Sequence, residues 1–216
     1  NAQLAYQRQF ESAQNLYDSG AISLTDFEKR RVAFQDGKAK LNVTENKFFQ
    51  SKQELINLKI EKNQIEQLHG DGIAITSHSS TAGNIARICN NKINVSGTLS
   101  SKYGIYLQTG GNFDIFHNTV VTSNTSTISA CLYFGSVGDI NLKNNILSNT
   151  GGGYVSTVAS INSLVSDFND LYTNGSILIY NYGNKTFSSW KALGYDVNSL
   201  NVAPQFVSSS DFHISS

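Results

Sequence analysis

An asparagine-centred phrase recurs through the C-terminal two thirds of the 216-residue chain and narrows the fold more than any other feature. Ile88-Cys89-Asn90-Asn91-Lys92-Ile93 is followed by Ile115-Phe116-His117-Asn118-Thr119-Val120, by Leu142-Lys143-Asn144-Asn145-Ile146-Leu147 and by Asp167-Phe168-Asn169-Asp170-Leu171. With Asn91, Asn118, Asn145 and Asp170 as the repeated position, the spacings are 27, 27 and 25. A second phrase lies between: Gly72-Ile73-Ala74-Ile75, Gly104-Ile105-Tyr106-Leu107 and Ala130-Cys131-Leu132-Tyr133-Phe134. A supersecondary unit repeated at this length builds a solenoid. The units hold short alternating strands and no helical period, so a mainly β fold is expected, a parallel β-helix with one coil per repeat. Asparagine at a strand-to-strand corner tolerates the left-handed backbone conformation. Stacked on its equivalents, its amide can bond along a ladder.

Composition divides the chain near residue 68. Residues 1–66 carry 10 Lys/Arg and 9 Asp/Glu, whereas residues 67–216 carry 6 and 7. Glutamate ends at Glu66, and of 17 glycines only Gly20 and Gly37 precede the break. A helix-forming composition gives way to one rich in Asn, Ser, Thr, Gly and β-branched residues. The expected domains are an α-helical hairpin over 1–66 and the β-helix over 67–216.

The first segment reads as two helical arms. Tyr6, Phe10, Ala13 and Tyr17 fall on one helix face, and Asp18-Ser19-Gly20-Ala21 breaks it, with Gly20 suited to a left-handed turn. Ser23 is placed to cap the next helix, with Asp26 three residues on. Phe27, Phe34, Leu41, Phe48 and Leu55 then recur every seven residues, and Leu58 and Ile65 extend the seam. That is the coiled-coil condition. A helix from Ser23 to Leu68 would be roughly 69 Å long. The short first arm cannot cover it, so self-association through this stripe is expected.

Asn15 to Glu28 resembles the hairpin tip of HlyD-type periplasmic adaptor (membrane fusion) proteins, and Ala39 to Ile60 resembles the returning helix. In that family an Arg, a Leu and a Ser at the tip contact an outer-membrane exit channel. The resemblance implies tip roles for Leu16, Gly20 and Ser23 and an export-channel partner. Ser12 stands where the family has Arg, with Arg8 one turn away. The asparagine repeats resemble right-handed parallel β-helix proteins of the pectin-lyase-like type. The tail Ser166 to Tyr172, Ser188-Ser189-Trp190, Ala203-Pro204-Gln205-Phe206-Val207 and Asp211-Phe212-His213 resembles a secreted bacterial version. The two resemblances imply a right-handed solenoid behind a helical hairpin; about five coils fit the roughly 150 residues after the break, a height of about 24 Å. They imply a secreted or cell-envelope location in a Gram-negative bacterium. Because they differ, a fusion or fragment is expected, with the joint around Gln64–Gly70.

Sixteen basic and sixteen acidic residues give no net charge, which argues against a nucleic-acid binder. No run approaches a membrane span. Cys89 and Cys131 lack metal-site spacing and read as buried thiols. Neither metal nor other cofactor is expected. A polysaccharide lyase of this fold needs clustered carboxylates for Ca²⁺ and a basic group, yet Arg87 is the one Arg after residue 66. Asp114 and Asp139 lie 25 residues apart and could stack on adjacent coils, making them the weak catalytic candidates, though each also reads as a turn residue. His117 precedes ladder Asn118 as Asn90 precedes Asn91 and reads as a corner substitute. Tyr103, Tyr106, Tyr133, Tyr180, Tyr182 and Trp190 are candidates to stack on sugar rings, with Trp190 better placed to cover the solenoid end.

Three functions compete. The first, and favoured, is a non-catalytic β-helix scaffold contacting polysaccharide and carrying a hairpin for association. The second is a fragment of an export adaptor linking an ABC exporter to an outer-membrane channel. The third is a truncated polysaccharide lyase or hydrolase.

Overall fold

The computed structural model describes residues 2–56, 58–67, 70–80, 84–98, 101–208 and 211–214; for 2–4, 6, 45–46 and 48–56 it describes the helix alone. Leu68, His69 and the side chains of Tyr6, Phe48 and Leu55 therefore lie outside the described residues. The chain forms two compact units, Asn1–Ile56 and Asn57–Ser216.

The first unit is a hairpin of α1 (Ala2–Asp18) and α2 (Leu24–Ile56). Gly20, at φ +74°, ends α1: its N–H reaches Tyr17 O and the Ala21 N–H reaches Leu16 O, two bonds that close a Schellman motif. Ser23 starts α2, its Oγ accepting the Asp26 N–H at 3.2 Å while its hydroxyl donates to the Asp26 carboxylate at 2.8 Å. The arms meet through aromatic rings, Phe10 on Phe34 at 4.9 Å and Tyr17 on Phe27 at 5.0 Å. Ala13 and Phe27 are buried there. The long helix stops at Ile56 rather than near Leu68: its 33 residues span about 50 Å.

The second unit is a solenoid of about four turns with three parallel ribbons. Ribbon one stacks β3 (Ile73–Ile75), β6 (Tyr103–Thr109), the first halves of β9 (Ala130–Lys143) and β11 (Tyr154–Asp167), and β13 (Ile179–Asn181). Ribbon two stacks β1 (Lys59–Glu61), β4 (Ala86–Cys89), β7 (Phe113–Phe116) and the second halves of β9 and β11. Ribbon three stacks β2 (Gln64–Gln67), β5 (Lys92–Val95), β8 (Thr119–Thr122), β10 (Ile146–Asn149) and β12 (Asp170–Thr173). The inner faces align like residues. Ile88, Ile115 and Leu142 form one buried column, and Ile93, Val120, Leu147 and Leu171 another.

The solenoid takes in residues whose composition matches the helical unit. β1 and β2 lie before residue 68, and Ile60 and Ile65 pack against the β core. Ile60-Glu61-Lys62-Asn63-Gln64-Ile65 is a further copy of the repeat, in register with Ile88 to Ile93. The boundary thus falls at Ile56, and Leu58, just before β1, and Ile65, on β2, pack against the β core rather than extending the helical seam.

The end of the solenoid carries β14 (Asn184–Lys185), antiparallel to β13, and α3 (Phe187–Lys191). Thr186 caps α3 by accepting the Ser189 N–H at 3.3 Å. Trp190 is 1% exposed, stacked on Tyr195 and joined to the core. It closes the last turn and is not available to a ligand. The C-terminal segment returns over ribbon three. Phe206 bridges Ile214, and the buried Phe212 ring lies 4.8 Å from Lys92 Nζ.

Candidate functional site

The corner between ribbons two and three is built by one device. Lys62, Asn90, His117, Asn144 and Phe168 all adopt φ between 55° and 59°. The next residue in each case is a rung of the ladder. Asn63 donates its side-chain amide to Asn91 Oδ1, Asn91 to Asn118, Asn118 to Asn145 and Asn145 to Asn169, at 2.9 to 3.1 Å. Each rung's backbone N–H donates to the same oxygen, so every amide points one way. The fourth rung expected from spacing, Asp170, is corrected to Asn169. Register pairs Asp170 with Ile146, because this turn is 24 residues long rather than 25. The ladder ends on Asp196, whose carboxylate accepts from Asn169 Nδ2, Ser166 Oγ, Ser199 Oγ and Trp190 Nε1. With all rungs buried or bonded at a corner, this constellation stabilises the fold and has no face for a ligand. His117 occupies a corner position equivalent to Asn90, as its place in the repeat implied.

Ribbon two presents the two carboxylates considered for catalysis. Asp114 sits in a column with Arg87 and Asn141. Its Oδ2 lies 3.9 Å from the Arg87 guanidinium and its Oδ1 accepts from Asn141 Nδ2 at 3.4 Å. Asp139 is not stacked on Asp114. The turn is 27 residues long here, so Asp139 sits beside Asn112, whose Oδ1 accepts its N–H at 2.9 Å. The two are staggered by two residues along the strand, on the rim of a shallow groove with Ile85, Lys143 and Val165. Elsewhere on this ribbon Asp167 is held below the ordinary carboxylate range: burial pushes it up, but hydrogen bonds from Asn198 and the Phe168 N–H outweigh that. Ribbon two is therefore a charged face on which Arg87 and Asp114 form an ion pair and Asp167 is held by hydrogen bonds.

Ribbon one differs. Its outward column reads Ala74, Tyr106, Tyr133, Thr157, Tyr180. Tyr106 and Tyr133 stack at 4.9 Å, and Tyr103 closes a trio at 5.4 and 4.9 Å. Tyr154 and Tyr180 form a second pair at 5.9 Å. The Tyr103 phenol is pushed above its ordinary value by burial first, then by Tyr133, Asp71 and Tyr106. Asp71, at the margin, accepts the Tyr103 N–H at 2.9 Å. The individual tyrosines were visible in the sequence, but their grouping was not, because it depends on register between strands.

The remaining candidates are dispersed. Cys131 is fully buried and its thiol is pushed up to about 12, while Cys89 is raised by burial and by Glu61. Both are unpaired thiols. Among the described residues no three metal-ligating side chains cluster, and no helix is long and apolar enough to cross a membrane. At the hairpin tip Leu16 is partly exposed, and Gly20 and Ser23 are occupied with ending one helix and starting the next.

Fold and faces together define a parallel β-solenoid protein with a helical hairpin unit. Comparison with family models, with curated proteins and with solved structures finds no match.

Proposed function

We propose that this chain is a non-catalytic scaffold of the secreted or cell-envelope kind, a right-handed parallel β-helix of the pectin-lyase-like type that contacts polysaccharide. The observation that carries it is the tyrosine trio on ribbon one, with ring centroids 4.9 to 5.4 Å apart on an outer face. The rings stack on one another, so they turn ring edges and phenol hydroxyls outward, groups that suit a ligand carrying both C–H and hydroxyl groups. The other faces are engaged. On ribbon two Asp114 is engaged by Arg87 and Asn141, and ribbon three lies under the returning C-terminal segment. The hairpin serves association, its seven-residue aromatic stripe extending beyond the reach of the 17-residue α1.

Retention on insoluble polysaccharides tests this reading. The wild-type chain is expected to be retained and Tyr133→Ala to be released, with matching thermal melts. Equal retention of both would exclude the tyrosine face. An exporter-adaptor role is the second reading, favoured by the exposure of Leu16 at the hairpin tip. It calls for Leu16→Asp to abolish binding to an outer-membrane exit channel.

A further inference from the structure

We propose that the corner of the last turn, between Phe168 and the returning C-terminal segment, binds a small organic cation, an ammonium group carried on an apolar body. The site lies apart from ribbon one and does not rest on the polysaccharide reading. Shape is the first argument. Phe168, Asp170, Leu200, Val202, Pro204 and Ile214 line a groove of about 680 Å³. That is the size of a small-molecule site, and its walls are apolar as such sites are. Phe168, Leu200, Val202 and Ile214 are each 53 to 59% exposed, so the wall is open to solvent.

Phe168 itself is the second argument. It holds the corner position taken by Lys62, Asn90, His117 and Asn144 in the earlier turns, at φ +59°. Asparagine and histidine are among the residues that accept the left-handed region, whereas a bulky aromatic there is an outlier. The ladder does not need this ring, because Asn169 makes the rung's hydrogen bonds. The core does not hold it either, since it stands exposed. Backbone strain that neither ladder nor core requires is a mark of functional positions. What an exposed ring face attracts, besides apolar surface, is a cation.

Charge is the third argument. Among the described residues Asp170 is the one ionisable side chain lining the groove. Its Oδ1 accepts the Val202 N–H at 3.2 Å, and no described Lys, Arg or His pairs with it. Burial holds this carboxyl above its ordinary value, and the single N–H offsets only part of that. A partly buried carboxylate with no cation beside it is stabilised by one that arrives. An ammonium ligand would therefore meet the Asp170 carboxylate and the Phe168 ring while its body rests on Leu200, Val202 and Pro204. An anionic ligand of the same shape would be repelled.

Titration of the whole chain at neutral pH with phenethylamine, phenethyl alcohol and phenylpropionate tests the proposal. The three probes share a body and differ in the head group. Binding is followed by amide chemical shifts, with thermal melts as the folding control. The amine is expected to bind about tenfold or more tightly than the alcohol, with shifts at Leu200 and Val202, and the propionate not to bind. Asp170→Asn is expected to erase the preference for the amine while keeping the weak binding of the alcohol. Phe168→Asn, which restores the residue of two earlier corners, is expected to weaken both. Equal binding of amine and alcohol, tighter binding of the propionate, or an undiminished preference in Asp170→Asn would overturn the cation site. Unchanged amine binding in Phe168→Asn would overturn the part given to the ring. Absence of binding by all three probes, or shifts confined to residues away from the groove, would overturn the groove as a ligand site.

Discussion

The indole N–H of Trp190 donates to Oδ2 of Asp196 at 2.8 Å, and through that carboxylate the cap of the solenoid is fastened to its internal ladder. Asp196 is 1% exposed, and its other oxygen takes Asn169 Nδ2 at 2.9 Å and Ser199 Oγ at 2.6 Å. Every ladder amide donates toward this end, so an acceptor-only group is what the last rung requires.

Removing that acceptor is predicted to be costly. Asp196→Ala leaves several buried donors without a partner, at about 1–3 kcal/mol each, so a loss of at least about 3 kcal/mol is expected in urea denaturation. Asp196→Asn keeps one acceptor oxygen and places an amide N–H against existing donors. It should fall between wild type and the alanine variant. If Asp196→Ala melts like wild type, the carboxylate does not anchor the end.

Within the ladder, Asn118 is the sharpest probe. Its Oδ1 receives Asn91, and its Nδ2 reaches Ile88 O, Phe116 O and Asn145 Oδ1. Asn118→Leu is expected to cost about 2–4 kcal/mol, since neighbours on both sides lose a partner. An unchanged melting temperature would refute a stabilising ladder.

The repeat was legible because every turn must present like residues at the same corner. Ile-x-x-Asn-x-Ile recurs from Ile60 to Ile93, and with small changes to Leu171. The first copy is masked in the sequence because Lys59, Glu61, Lys62 and Glu66 share the charged composition of the preceding helix. Asn169 was missed because the turn before it is short, so alignment on the adjacent Asp170 looked equally regular. Asp114 and Asp139 seemed stackable for the same reason: their separation matches a repeat two residues shorter than the one that exists at that place. The tyrosine column needed register that no single strand contains.

Asp170 gives a pH test. Burial raises its carboxyl above the ordinary 3.8, partly offset by the Val202 N–H. A folded-state value above the unfolded one means the native state holds the proton more tightly. Its contribution is then fully present below the unfolded value and is lost as pH rises through the folded one. Asp170→Asn is therefore expected to gain stability relative to wild type on passing from about pH 3.8 to neutrality. Parallel melts across that window check it, and a constant difference would contradict it.

The hairpin depends on Gly20 and Phe27. At φ +74° an added methyl costs about 1–2 kcal/mol in backbone strain, so Gly20→Ala should loosen the turn. Phe27, 7% exposed, stacks on Tyr17 and meets Phe10. Phe27→Ala is expected to cost about 3 kcal/mol or more and to lower the far-ultraviolet helical signal while the β unit's transition persists. Retention of the full helical signal would show that the arms do not depend on this contact.

Ribbon two offers the most direct contest between scaffold and enzyme. Acid–base cleavage of a glycoside requires two carboxyl groups facing a bond between them, one protonated and one not. Asp114 is engaged by Arg87 and Asn141, and Asp139 stands two residues off its column. The Arg87 side chain is half exposed, and such pairs contribute about 0–1 kcal/mol. Asp114→Asn is thus expected to shift stability by no more than that amount. Incubation with pectate, alginate and neutral glycans, with and without Ca²⁺, is expected to release neither reducing ends nor unsaturated products from wild type or from Asp114→Asn and Asp139→Asn. Turnover by wild type that either substitution abolishes would replace the scaffold with a hydrolase or lyase whose site is ribbon two. Retention of glycan without turnover, lost in Tyr133→Ala and kept in Asp114→Asn, would place the contact on ribbon one.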